Sequence, residues 1–285
     1  MKNFVALFFL AGILSVGFSS CWLDEVGPPI DTSNGGGTTF QQKRVLLEDI
    51  TGVRCTNCPS GHELAATISA NNAGRVEVVC IHSGVFAVPF AFSSYDFKGD
   101  CPEGVQIDNW LGPSSSWPCA DINRKLFTGE SALFLSSTKW AGYVAQELAS
   151  DTPVVAIDIN RTYNSSSRNL NVSLNLHYNT TETTANYFTI YLVEDSIVDP
   201  QSNDTPAPVH IDTFYTHMNV LRHVLTAYNG TAVSGSTSSG SDISTSTFNY
   251  VLPANVNPAH ARVVAFVSEF GTSKDVLQVV SKKVE

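Results

Sequence analysis

The run Val45-Leu46-Leu47-Glu48-Asp49-Ile50-Thr51-Gly52-Val53-Arg54-Cys55-Thr56-Asn57-Cys58-Pro59 decides the fold. Val45 to Ile50 is an apolar segment with carboxylates inside it, the pattern of a buried strand, and Thr51-Gly52 breaks it. Cys55 and Cys58 follow at once, and His62 to Ala70 can run as a helix after Pro59. A dithiol at the start of a helix that follows a strand suits thiol–disulfide chemistry. The orphan N–H groups and the dipole of the helix favour a thiolate on the first cysteine, and only the thiolate attacks sulfur. The two intervening residues let the second thiol swing round and resolve a mixed disulfide. Cys55 is therefore the candidate attacking thiol, Cys58 the resolving one, and Cys55–Cys58 the expected disulfide. A haem site would need His straight after the second cysteine, where Pro59 stands, and a zinc site would need a second close cysteine pair. No metal ligands and no cofactor are expected.

Asp49 lies six residues before Cys55 on the expected buried strand. Thioredoxins carry a buried Asp at this offset, where it exchanges protons with the second cysteine. That resemblance makes Asp49 a candidate proton acceptor facing Cys58; the other reading is a strand-end carboxylate bonded to backbone. Burial would raise its pKa, because desolvation disfavours the charge. His62 stands four residues after Cys58, on the same helix face, and is read as a surface helix residue, the other reading being an electrostatic bias on the thiol. Arg75 to His82 alternates as a central strand should, with Cys80 a buried, inert thiol inside it. After an insertion at about 83–112, Trp117-Pro118-Cys119 leads into a further strand, and Pro118 resembles the cis-proline loop that faces the dithiol in thioredoxin folds. Ser136 to Ser150 has the spacing of a closing helix. Cys101 and Cys119 are the expected second disulfide, Cys101–Cys119, which leaves Cys80 unpaired.

At 285 residues the chain is long enough for two domains. Its net charge of -10, without a basic block, argues against a nucleic-acid partner. Lys2 precedes an apolar run from Phe4 to Val16, the order of a signal peptide over 1–20, and Ser19-Ser20-Cys21 resembles a bacterial lipobox. Cys21 is then the lipidated first residue, and several acyl chains on it would hold the protein to a membrane stably. Residues 21–42, rich in Pro, Gly, Ser and Thr, read as a flexible tether.

From Thr152 the pattern changes to strands at intervals: Val154 to Asn160, Leu170 to Tyr178, Tyr187 to Glu194, Ala261 to Glu269 and Val276 to Val284. Leu170, Val172, Leu174 and Leu176 point one way and polar residues the other. Strands without intervening helices suggest an antiparallel β-sandwich of immunoglobulin type over 152–285. Gly235 to Ser246 reads as a mobile low-complexity loop, and His210, His217 and His223 are too scattered for a ligand set. The fold expected is α/β plus all-β: a thioredoxin-like domain over 43–151, then the sandwich.

LLEDITGVRCTNCPSGH, VVCIHSG, FAVPF, YDF, the WP…INRK block, HMNVLRHVL and VVAFV together resemble the outer-membrane lipoproteins of Bacteroidetes-type bacteria named after a twenty-eight-kilodalton antigen. The resemblance implies a thioredoxin-like domain followed by a β-sandwich, at the outer membrane on its periplasmic or cell-surface side, and no firmly established activity. This chain departs from the family's Tyr-Pro-Thr with Trp117-Pro118-Cys119, which puts a further thiol at the expected docking edge. Two functions stay open. One is an anchored envelope lipoprotein that binds a surface or envelope protein, the dithiol being a permanent disulfide. The other is a membrane-tethered thiol–disulfide oxidoreductase using Cys55, Cys58, Asp49 and Pro118.

Overall fold

β1 (Val45–Thr51) is buried at every residue because it has a strand on each edge and packed elements on both faces. The computed structural model to which it belongs describes residues 41–285. The expected signal peptide, the expected lipidation site Cys21 and all but the end of the expected tether lie outside those residues. α1 (Cys58–Asn71) starts at the second cysteine, with Pro59 in its first turn, where a missing N–H costs nothing. It returns the chain to β2 (Val76–His82), parallel to β1 with Asp49 opposite Cys80. α2 (Phe97–Asp100) and α3 (Glu103–Leu111) occupy the insertion. β3 (Cys119–Ile122) pairs antiparallel with β1, β4 (Leu135–Ser136) pairs with β3, and α4 (Ser137–Glu147) packs beside α1.

Strands fill the rest. They are β5 (Val155–Asn164), β6 (Asn169–Tyr178), β7 (Asn186–Glu194), and the short β8 (Ile197–Val198), β9 (Gln201–Asn203), β10 (His210–Asp212) and β11 (Thr216–His217). β12 (Val220–Val224), β13 (Thr231–Ala232), β14 (Asp242–Ser244), β15 (Phe248–Val251), β16 (Ala261–Glu269) and β17 (Val276–Lys283) follow. The Gly235 to Ser246 tract is not only loop. It supplies β14, with Ile243 paired opposite Leu176 and packed on the core.

The architecture is mostly β with few helices. A nine-stranded sheet runs β17-β16-β7-β12-β2-β1-β3-β4, with β13 beside β7. Strands from before and after residue 151 share it, meeting where β12 runs parallel to β2 with Val220 opposite Cys80. A second sheet, β14-β6-β15 with β5 also on β6, covers one end of the first. Between them Leu170, Val172, Leu174 and Leu176 meet Ile190, Leu192, Val263 and Ala265. The alternation along β6 is the local cause: one face is apolar, so one face is covered.

The meeting point of the halves carries buried charge. Arg124 follows β3 through Asn123, both at positive φ (53° and 51°), a turn that brings the guanidinium back under the sheet. Its Nε and Nη2 donate to Glu48 Oε2 and Oε1 at 2.6 and 2.8 Å, and Nη2 also to Tyr191 Oη at 2.6 Å. Tyr191 in turn donates to Glu48 Oε1 at 2.8 Å. Burial, with Glu48 beside it, pushes the Asp121 carboxyl well above the usual carboxylate range.

The expected Cys101–Cys119 disulfide is corrected: among the described residues both are buried free thiols, as is Cys80. Cys101 precedes α3 and points its thiol at Glu103 Oε2, 3.6 Å away, while Cys119 is fixed in β3 opposite Ile50 and Ser136. Burial pushes both thiols up, which keeps them protonated and unreactive.

Candidate functional site

Cys55 and Cys58 are joined in a disulfide just beyond the end of β1. Gly52 makes the turn possible. A Cβ there would fall 2.4 Å from the Phe86 carbonyl carbon, and Arg54 N donates to Phe86 O at 2.9 Å. Cys58 is the first residue of α1 and Cys55 lies ahead of it, its N–H donated to Gly52 O at 2.9 Å. Pro118 packs on this helix: a Cβ on Gly61 would lie 2.8 Å from Pro118 Cβ. The Trp117–Pro118 peptide is cis. Trp117 covers Gly84 and meets Phe86 edge-on at 5.3 Å between ring centroids.

The disulfide is covered by a segment that sequence reasoning left unassigned. Between β7 and β12 the chain forms two short antiparallel pairs, β9 with β10 and β8 with β11. Gln201, fully buried, donates its Nε2 to Cys55 O at 2.9 Å and to Gly52 O at 3.3 Å. Ser202 N donates to Val53 O at 2.7 Å and Asp204 N to Thr56 O at 3.2 Å. Cys55 is 4% exposed and Cys58 0%.

Next to the disulfide, along β1, β2 and α1, lies a cluster of polar side chains. Asp49 is fully buried on the α1 side of β1, neither carboxyl oxygen has a hydrogen-bond partner among the described residues, and burial raises its pKa well above the usual carboxylate range. The groups the fold brings to it are His62 and Cys80, one ligand atom of each of the three lying within 4.8 Å of the others. His62 is not the surface residue expected. Its Nε2 is 2.8 Å from Thr51 Oγ1 and 3.8 Å from Asp49 Oδ2, and its Nδ1 is 2.8 Å from Tyr215 Oη. Burial lowers its pKa to about 4, so the ring is neutral at physiological pH. Burial, then Asp49, pushes the Cys80 thiol up.

His217 also reaches this region. Its ring lies 5.8 Å from that of His82, Phe97 stands against both rings at 4.6 and 5.0 Å, and burial lowers His217 to about 3. His210 and His223 stay elsewhere, the latter stacked on Tyr250 at 4.1 Å. Gln201, Tyr215 and His217 had no signal in the sequence: each acts on a residue of the first half more than a hundred positions away.

The family described as outer membrane protein Omp28 matches residues 107–285, a stretch that includes Pro118, Arg124 and Gln201 and begins after the cysteine pair. No curated protein sequence matches the chain. Among solved structures, HBP35 of Porphyromonas gingivalis superposes with a TM-score of 0.68 at 15% identity, over 85% of this chain and 76% of its own. Protein AGR_C_4864 from Agrobacterium tumefaciens reaches 0.47 at 12% identity over 87% and 97%, too loose to inform the fold. The likeness to HBP35 concerns fold alone. The matched stretch is more than half of the chain, and the chain belongs to the Omp28 outer membrane protein family.

Proposed function

We propose, from that membership, that the chain is an envelope lipoprotein held to the outer membrane through lipid on Cys21. In this reading its cysteine pair is a structural disulfide in a thioredoxin-like scaffold, an immunoglobulin-like sandwich follows, and the role is to bind a partner protein of the envelope. The parallel β1-α1-β2 unit with antiparallel β3 supports the first part of that fold reading, and the sheet packed over β7, β16 and β17 the second.

The observation that carries the function is the cover over the disulfide. Exchange requires a thiolate to reach a sulfur, and both cysteines are buried, with Gln201 and β9 bonded to the backbone around Cys55. The tether enters at the other end of β1, where Lys43 Nζ donates to Val276 O and Leu277 O at 3.1 and 2.5 Å. Seven strand residues, at about 3.3 Å each, separate that end from the disulfide by roughly 20 Å. The cover therefore faces away from the anchored end. Around it Val85, Phe92, Val209 and Phe214 are exposed, the kind of apolar surface that binds protein.

The oxidoreductase reading has its own support in Asp49, buried without hydrogen-bond partners, and in Pro118 seated on α1. It requires β9 to lift. A redox titration separates the two. The structural reading expects a potential below about -300 mV; a value of roughly -270 to -120 mV, with mixed disulfides accumulating on Cys58→Ser, overturns it. Gln201→Ala removes bonds worth about 1–3 kcal/mol, so dithiothreitol should reduce Cys55–Cys58 roughly 5- to 150-fold faster. An unchanged rate would mean that β9 does not guard the sulfurs.

A further inference from the structure

We infer that Asp49, His62 and Cys80 form a binding site for one soft divalent cation of the zinc class. The parallel register of β1 and β2 sets Asp49 opposite Cys80, and α1 lays His62 over both. The ligand atoms lie within 4.8 Å of one another, with Nε2 of His62 3.8 Å from Asp49 Oδ2. Ligands held about 2.0–2.3 Å from a tetrahedral zinc stand roughly 3.3–3.7 Å apart, so a small inward turn of the side chains completes three of four positions. Thr51 Oγ1, 2.8 Å from Nε2, is the nearest further oxygen.

A second observation points to a ligand. Both oxygens of Asp49 are fully buried without a hydrogen-bond partner among the described residues, and an orphaned buried polar atom is costly. A cation bonded to the carboxylate removes that cost. Charge closes as well. A carboxylate, a thiolate and a neutral imidazole sum to two negative charges, which a divalent cation cancels, so the buried site is neutral when filled. As the cation enters, one proton leaves the thiol and one leaves the carboxyl. Ligation through Nε2 needs the other ring nitrogen protonated, and Tyr215 Oη is 2.8 Å from Nδ1 to accept that proton's hydrogen bond, the outer-shell contact that fixes a ligating ring.

The mixed sulfur, nitrogen and oxygen set suits zinc or cobalt(II) and disfavours magnesium and calcium, which take oxygen ligands. The site uses neither Cys55 nor Cys58 and stands whether or not their disulfide turns over. Spacings of thirteen and eighteen residues between its members hide it from any short-motif reading.

The test is to refold the full chain, with its disulfide formed, in the presence of Co²⁺. One cobalt per chain is expected, with tetrahedral d–d bands and a thiolate-to-cobalt charge-transfer band, both lost on adding Zn²⁺. Cys80→Ser should abolish the charge-transfer band while near-UV dichroism stays native. Asp49→Asn and His62→Gln should each weaken binding at least roughly tenfold. Cys101→Ser and Cys119→Ser should leave the band unchanged. If Cys80→Ser does not fold, His62→Gln decides. Folded wild-type protein that takes up no cobalt, a band that survives Cys80→Ser, or undiminished binding by His62→Gln overturns the assignment.

Discussion

Between the two sheets, burial is a matter of Leu170, Val172, Leu174 and Leu176 against Ile190, Leu192, Val263 and Ala265. Around β1 the same depth of burial takes in Glu48, Asp49, Asp121 and Arg124. The sandwich core is held by apolar area, which is non-directional and tolerates small shifts. The core around β1 depends on a guanidinium from one turn, a carboxylate from a central strand and a phenol from β7 meeting within hydrogen-bond distance. Any one of them left alone is a buried polar group without compensation. The first core degrades gradually under substitution, and the second fails at single positions.

Arg124→Ala tests that contrast hardest. It leaves Glu48 buried without its guanidinium partner and should cost about 3–5 kcal/mol in urea unfolding, whereas replacing Glu48 and Arg124 together by Met should recover much of the loss. A double variant no more stable than Arg124→Ala would mean that packing, not charge, is what Arg124 supplies. Leu174→Ala, in the other core, should cost about 2–5 kcal/mol through lost burial and a cavity, by nearly the same amount at pH 5 and pH 8.

The smallest effect belongs to Glu77. Burial pushes its carboxyl up, but the Arg262 and Arg44 guanidiniums outweigh that and hold it below the usual range. Its folded pKa is thus depressed. The stability it lends is present above the carboxylate pKa of the unfolded chain and drains away as pH falls through the lowered, folded value. Glu77→Gln should therefore lower stability at neutral pH and flatten the acid limb of an unfolding-versus-pH curve. An acid limb of unchanged slope would show that the pair adds nothing. Asp121 acts with the opposite sign: its pKa is raised, so its contribution worsens as pH climbs through the ordinary carboxylate range.

Regular elements were legible because their causes are local. The alternation of Leu170 to Tyr178 needs only a period of two to be a one-sided strand, and β6 covers Asn169–Tyr178. Ala261–Glu269 and Val276–Lys283 flank FGTSKD as an antiparallel pair for the same reason. The cysteine pair at the start of a helix after a strand is likewise a matter of adjacent residues. His62 reads as a surface residue because a polar side chain on a helix has no local reason to be covered; Tyr215 arrives from 153 positions away. Cys101 and Cys119 were paired by number and compartment, whereas bonding depends on positions that β3 and α3 set independently.

By itself, then, the amino-acid order determined the strands with one apolar face, the dithiol turn and a net charge of -10. Tertiary structure alone decided that Gln201 closes over Cys55 from 146 residues away and that Arg124 meets Glu48. It also decided that one sheet runs through both halves. The physical reason is range. Periodicity and turn chemistry act over a few residues and leave a trace in the order of the letters, while a buried polar contact between distant segments exists only once the backbone has brought them together.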